Sequence, residues 1–234
     1  MTGSTTTPRE RYRQQVRTEV KEKARQQIAG SGASALSLNA IAKQMGMSGP
    51  ALYRYFANRD ELITELVTDA YRSLADTFAA VSADGTGPER LTALATALRH
   101  WAVADPHRYF LIYGTPVPGY HAPDDVTAIA SEMMSVLLDA ATAAIGTGAG
   151  AGSGARALDA HLADHREWAD GHPDAPPAAL RTALAFWTRL HGALSLELAG
   201  HFTGMGLDTA LLFAAEVDTL VSPPTPTDPP TMTK

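Results

Sequence analysis

Cysteine is absent from the 234-residue chain, which removes disulfides, thiolate nucleophiles and Cys-bound zinc together and suits a reducing compartment. Strand patterning is missing too: no stretch alternates apolar and polar residues between turn signals, so an all-α fold is expected. No nucleophile elbow, phosphate-binding glycine loop or dinucleotide fingerprint occurs. The one glycine-rich run, GTGAGAGSG from Gly146 to Gly154, follows a helical pattern where a fingerprint would follow a strand, and reads as a flexible loop. No segment reads as long enough for a membrane span, and the opening MTGSTTTPRERYR has no apolar run behind its charges. These absences lead us to expect a cytoplasmic protein with no membrane partner and no cofactor.

What is present begins with the stretch from Ser37 to Leu66. Apolar residues at helical spacing (Leu38, Ile41, Ala42, Met45) stop at Gly46 and restart as Leu52, Tyr55 and Phe56, so two short helices flank a tight turn. Ser37 and Ser48 are placed to cap the two helices, and Gly46 to close the first. Met47 and Leu52 stand as a hydrophobic staple around Ser48, and Pro50 falls in a first turn, where its missing N–H costs no bond. Asn58, three residues before Glu61, opens a third helix. In the second helix Leu52 and Phe56 point one way, leaving Gly49, Pro50, Tyr53 and Arg54 on other faces, a shape that can enter a major groove.

The string AIAKQMGMSGPALYRYFANRDELI resembles the DNA-binding motif of the TetR family of bacterial transcriptional regulators. The matching positions are Ile41, Ala42, Gly46, Ser48, Leu52, Tyr53, Phe56, Arg59, Glu61 and Leu62, with Arg59 standing where Lys is more usual. The resemblance implies phosphate contacts from Ser37, Ser48, Tyr53, Tyr55 and Arg59, and places Gly49, Pro50, Ala51 and Arg54 near base edges. Gly, Pro and Ala offer only backbone and apolar contacts, so Arg54 is the hydrogen-bonding reader of the helix. A second cue, Trp187, His191 and Gly192 spaced as W-x-x-x-H-G, looks like the motif of a C-terminal ligand-binding domain found in one branch of that family. The family then implies a homodimer through the last two helices, double-stranded operator DNA as partner, and a small-molecule effector.

Net charge is −6, but it is divided: the first 60 residues carry ten Lys and Arg against four acids, the remainder nine against twenty-one, so only the front should be drawn to phosphate. Residues 1–7 read as a disordered N-terminus, 8–62 as a three-helix, helix-turn-helix DNA-binding domain, 63–221 as a larger helical effector-binding and dimerisation domain, and 222–234 as a disordered, Pro-rich tail. The first helix carries Tyr12, Val16, Val20, Ala24 and Ile28 at every fourth place. Its front half, with Arg9, Arg11, Arg13 and Arg17, exceeds what a three-helix domain needs; it reads either as an arm on DNA or as a solvated helix end. The helix from Asn58 to about Val81 connects the two domains. Ala155 to Trp168 reads as a weak helix, and the last two helices span about Pro177 to His201 and Leu207 to Val221.

Effector-pocket candidates are Trp101, Phe110, Tyr113, Met133, Met134, Leu137, Phe186, Trp187 and His191, apolar and aromatic groups that otherwise serve as core. Few cations accompany them, so the ligand expected is apolar. The reading is a repressor released by that ligand. Two rivals stand beside it: a metal-binding enzyme using His161 and His165, which are i, i+4 with Glu167 nearby, and a non-specific DNA-binding protein.

Overall fold

The computed structural model describes residues 7–114, 124–145 and 153–221. Those residues form ten α-helices and two short 3₁₀ turns, with no strand among them. They divide into two compact units, the first holding the chain up to Ser73 together with Asp105 to Ala128, the second holding Leu74 to Ala104 and the chain from Ile129 onward. This division by packing falls further along the connecting helix than the boundary after Leu62 read from the sequence.

In the first unit, α1 (Pro8–Ser31) begins on a capping box: the Thr7 hydroxyl accepts from the Glu10 N–H, and the Glu10 carboxylate accepts from the Thr7 N–H at 2.7 Å. Those bonds hold Glu10 below the usual carboxylate range. α2 (Leu38–Gln44) is capped by Ser37, whose Oγ accepts from Ala40 N–H at 3.3 Å; Gly46 closes the turn at φ 65°, in the left-handed region. α3 (Gly49–Leu52) is capped the same way by Ser48 through Ala51 N–H at 3.3 Å. α4 (Arg59–Ala79) starts where Asn58 Oδ1 accepts from Glu61 N–H at 2.8 Å, while the Glu61 carboxylate reaches back to Ala57 N–H at 2.5 Å. The core of the unit is the α1 stripe Val16, Val20, Ala24 and Ile28 packed with Ile41, Leu52, Phe56, Leu62 and Leu66, all buried. α6 (Pro106–Tyr113), capped by Asp105, lies in the same unit and packs on α1.

The second unit contains α5 (Gly87–Ala104), most of α7 (Asp124–Ala144), α8 (Ser153–Asp164), α9 (Pro177–Leu198) and α10 (Thr209–Val221). A Cβ on Gly87 would lie 2.1 Å from the Ala144 nitrogen, so α5 begins backbone to backbone against the end of α7. The Arg99 guanidinium meets Glu197 at 2.6 Å and Thr209 donates to the same carboxylate at 2.9 Å, tying α5, α9 and the start of α10 together. Arg181 and Asp159 join α9 to α8 at 2.7 Å.

Several expectations change. α3 ends at Leu52, so Tyr53, Arg54 and Tyr55 sit in the turn after it and not within the α-helix; Tyr55 N–H bonds to Leu52 O at 2.8 Å, an i→i+3 tightening that the apolar spacing does not reveal. Ser153 and Gly154 belong to α8 instead of the glycine-rich loop, whose residues 146–152, like the termini and the proline-rich link 115–123, lie outside the described residues. The expectation that no stretch reaches the length of a membrane span is corrected: Asp125–Ala144 is long and apolar enough, with a mean hydropathy of 1.3. Its many alanines raise that mean, and 39% of the stretch is buried, with Ile129, Met133, Leu137, Leu138, Ala140 and Ala141 inside the second unit.

Candidate nucleic-acid interface

α3 is too short to stand by its own hydrogen bonds. It is positioned from three sides. Leu52 and Phe56 are fully buried beneath it. Gly49 brings it against α2, since a Cβ there would come within 3.2 Å of Asn39 Oδ1. Arg17 of α1 donates to the Tyr55 carbonyl oxygen, pairs with Glu65, and lays its guanidinium over the Phe56 ring at 4.2 Å from the centroid. The groups left outward are Pro50, Tyr53 and Arg54, with Tyr53 44% exposed. Ser37 and Ser48 use their oxygens as caps, which leaves each hydroxyl hydrogen to donate outward. Tyr55 is half-buried against the core. Arg59 is turned inward: its Nη2 donates to the Ala33 carbonyl at 2.8 Å, and its Nη1 lies 3.9 Å from the Asp60 carboxylate.

Two sets of cations stand apart in this unit. Lys21 meets Asp69 at 2.7 Å and Arg25 meets the same carboxylate at 3.3 Å, so that with Arg17 they close α1 onto the acidic face of α4. The side chains of Arg9, Arg11, Arg13, Lys43 and Arg54 take no ion pair or hydrogen bond from any described residue. Sequence reasoning found these cations but had no means of sorting them, because the sorting depends on which acids of a distant helix come into register.

The nine pocket candidates are divided. Phe110 and Tyr113 lie in the first unit, where they join Tyr71 and Tyr109 in an aromatic cluster of α4 and α6 with ring centroids 5.3 to 6.0 Å apart. Burial pushes the Tyr109 hydroxyl up to about 12 and raises Tyr113 further, helped by the neighbouring phenols of Tyr71 and Tyr109. The other seven lie in the second unit: Trp101, Met133, Leu137 and Phe186 are buried, Met134 and Trp187 are half-buried. Trp187 and His191 do come together, with ring centroids 4.3 Å apart, and burial pushes the His191 imidazole down to about 4, so it is neutral at physiological pH. Gly192 has no atom within 4 Å of where its Cβ would be, so the close helical approach read there is not made among the described residues. A groove of about 190 Å³ runs between α5 and α10, lined by Thr96, Arg99, Phe213 and Val217 among others; none of the nine candidates lines it. His161 and His165 stack face to face, centroids 4.0 Å apart, with His165 Nδ1 2.9 Å from the His161 carbonyl oxygen. No group of three or more metal-ligating side chains occurs among the described residues.

Comparison with known proteins matches residues 22–66 to the family described as bacterial regulatory proteins, tetR family, and residues 91–220 to the tetracyclin repressor-like C-terminal domain. The HTH-type transcriptional regulator Rv1816 of Mycobacterium tuberculosis is 37% identical over 217 residues, covering 90% of this chain and 92% of that protein; Mb1846 of Mycobacterium bovis is equally similar. The crystal structure of a regulatory protein, SCO4313, superposes with a TM-score of 0.80 at 62% identity, covering 92% of this chain and 99% of that one. FadR from Bacillus subtilis, solved in complex with stearoyl-CoA, shares the fold at a TM-score of 0.58 and 13% identity, covering 88% of this chain and 97% of its own.

Proposed function

Because this chain belongs to the tetR family of bacterial regulatory proteins, and so is a DNA-binding transcriptional regulator, we propose that it is a repressor that holds a palindromic operator as a homodimer and is released by a small apolar effector. The observation that carries this reading is the set of polar groups around α3, in which Ser37, Ser48, Tyr53, Arg54 and Lys43 have donors to offer at the surface while Leu38, Ile41, Ala42, Leu52 and Phe56 of the motif are buried. In this reading Ser37, Ser48, Tyr53 and Tyr55 bind phosphate oxygens, Arg59 braces the start of α4 and offers its outer N–H groups to the same backbone, and Gly49, Pro50, Ala51 and Arg54 meet base edges.

A second copy is supported by apolar surface on the last two helices and the segment between them: Leu196, Met205, Leu207 and Leu211 are 44 to 69% exposed, and Gly192 opens on the outside of α9. Two recognition helices would then address half-sites about 34 Å apart. For the effector, Met133, Leu137, Phe186 and Trp187 supply apolar walls and neutral His191 a single hydrogen-bonding group. Stearoyl-CoA, the ligand in the FadR complex, also carries a long apolar chain, but that likeness is one of fold. α4 is continuous through both units, so ligand occupancy that favours one setting of α4 alters the spacing of the recognition helices, within the limit of its differential affinity, about 1 to 3 kcal/mol.

The test is the Tyr53→Ala, Arg54→Ala double variant, measured by fluorescence anisotropy on the intergenic DNA that adjoins the gene. A loss of at least about 100-fold is expected from two backbone or base contacts in each of two copies. Unchanged affinity, or a wild-type chain that sediments as a monomer on that DNA, overturns the proposal.

A further inference from the structure

Every residue of α1 before Val16 is exposed, so the helix runs about 12 Å, eight residues at 1.5 Å each, beyond the packing that holds it. That overhang is nonetheless built. It is opened by the Thr7–Glu10 capping box and by Pro8 at its first position, both of which favour helix where no core does. It also carries Arg9, Arg11 and Arg13, three like charges in five residues that repel one another and are neutralised by no described residue. The inner half of the same helix differs: there Arg17, Lys21 and Arg25 are each answered by Glu65 or Asp69 of α4, and Lys23 reaches Gln26 within its own helix.

The overhang also has a direction. Arg9, Tyr12 and Arg13 precede Val16 by seven, four and three residues, which puts them on the stripe that continues as Val16, Val20, Ala24 and Ile28 and is buried against the helix-turn-helix. The first anchored cation, Arg17, grips the chain at Tyr55 and Phe56, directly after Tyr53 and Arg54. The bare stripe with Arg9, Arg13 and the 63% exposed Tyr12 therefore leaves the unit beside the end of the recognition helix. The Thr7 and Glu10 amides of the helix start are already taken by the capping box, so the guanidinium groups are the main donors offered to an anion.

From this geometry we propose that the first two turns of α1 are a second DNA contact, a cationic arm that clamps the phosphates of the duplex flanking each half-site. The proposal rests on the reading of α3 as the recognition helix, and adds affinity without sequence preference, since phosphate contacts carry none. It also assigns the division of cations along α1 a purpose: Arg17, Lys21 and Arg25 hold the domain shut, while Arg9, Arg11 and Arg13 hold DNA.

The experiment compares wild type with the Arg9→Gln, Arg11→Gln, Arg13→Gln variant on intergenic DNA adjoining the gene, either with long flanks or trimmed to the half-sites, across a range of salt. Gln keeps helical propensity, and circular dichroism checks that α1 is retained. On the long duplex the variant should bind at least about tenfold more weakly near physiological salt, with a slope of log K against log salt shallower by about 0.9 for each phosphate that is no longer neutralised. On the trimmed duplex the two proteins should converge. Equal affinity and slope on the long duplex, with Tyr53→Ala, Arg54→Ala still abolishing binding, overturns the arm and leaves the recognition helix standing. Failure of wild type to bind either duplex removes the underlying reading instead. A variant that changes the sedimentation of the free protein while binding DNA normally would assign the arm to contact with the acidic half of another copy, and would equally overturn the proposal.

Discussion

The short helix α3 has four residues and buries one of them, Leu52; α9 has 22 and buries six, from Ala179 to Leu194. A helix this short with one buried side chain cannot stabilise itself by packing, so its support is moved onto its neighbours: Ser48 at its start, Phe56 beneath it, Arg17 across its end. α9 needs no such scaffolding. Its apolar residues are more numerous than one buried face requires, and they are sorted between an inner side and an outer one that stays exposed in the single chain. The first element is specified by neighbours and the second by its own composition.

That contrast can be broken at Phe56. Fully buried and lying under the Arg17 guanidinium, it forms the floor on which α3 rests, and Phe56→Ala should cost about 3 to 5 kcal/mol of unfolding free energy, read from urea denaturation. A cost under about 1 kcal/mol would mean that α3 stands without its floor. On the other side of the comparison, His191 tests whether α9 is held by burial alone. Its folded-state value, about 4, lies below the roughly 6.5 of an unfolded histidine, so between these the unfolded chain binds the extra proton. Stability should be unaffected by this group above pH 6.5 and fall as pH drops toward 4, by up to about 3 kcal/mol; the difference between wild type and His191→Phe should show that slope and lose it above pH 6.5. A flat difference would show that His191 is hydrated. The smallest effect belongs to Ser48→Ala, which removes the cap of α3 and should cost about 1 kcal/mol, with a larger fractional loss in DNA affinity than in stability if the cap hydroxyl also touches phosphate.

How far all this can be read from sequence depends on the range of the interaction involved. The caps at Ser37, Ser48 and Asn58 and the left-handed Gly46 were legible because each rests on residues within four positions of one another. The buried stripe of α1 was legible from its period. The end of α3 was not, since the tightening at Tyr55 arises where Arg17, 38 residues away, takes the Tyr55 carbonyl. The separation of Phe110 and Tyr113 from the other aromatic candidates was hidden for the same reason: α6 follows α5 in sequence but packs on α1. Arg59 turning toward Ala33 likewise requires knowing where the short turn before α2 lies.

The crossing of α5 over α7 at Gly87 bears on how such a protein can change over generations. Where two backbones touch with no side chain between them, mutation finds no tolerated neighbour: even one methyl group would drive the start of α5 away from Ala143 and Ala144. The same helix carries Arg99, whose grip on Glu197 joins it to α9. The outer surface of α9 and α10 can drift toward new partners and the interior toward new ligands, but this hinge of two bare chains is the point about which both kinds of drift must turn.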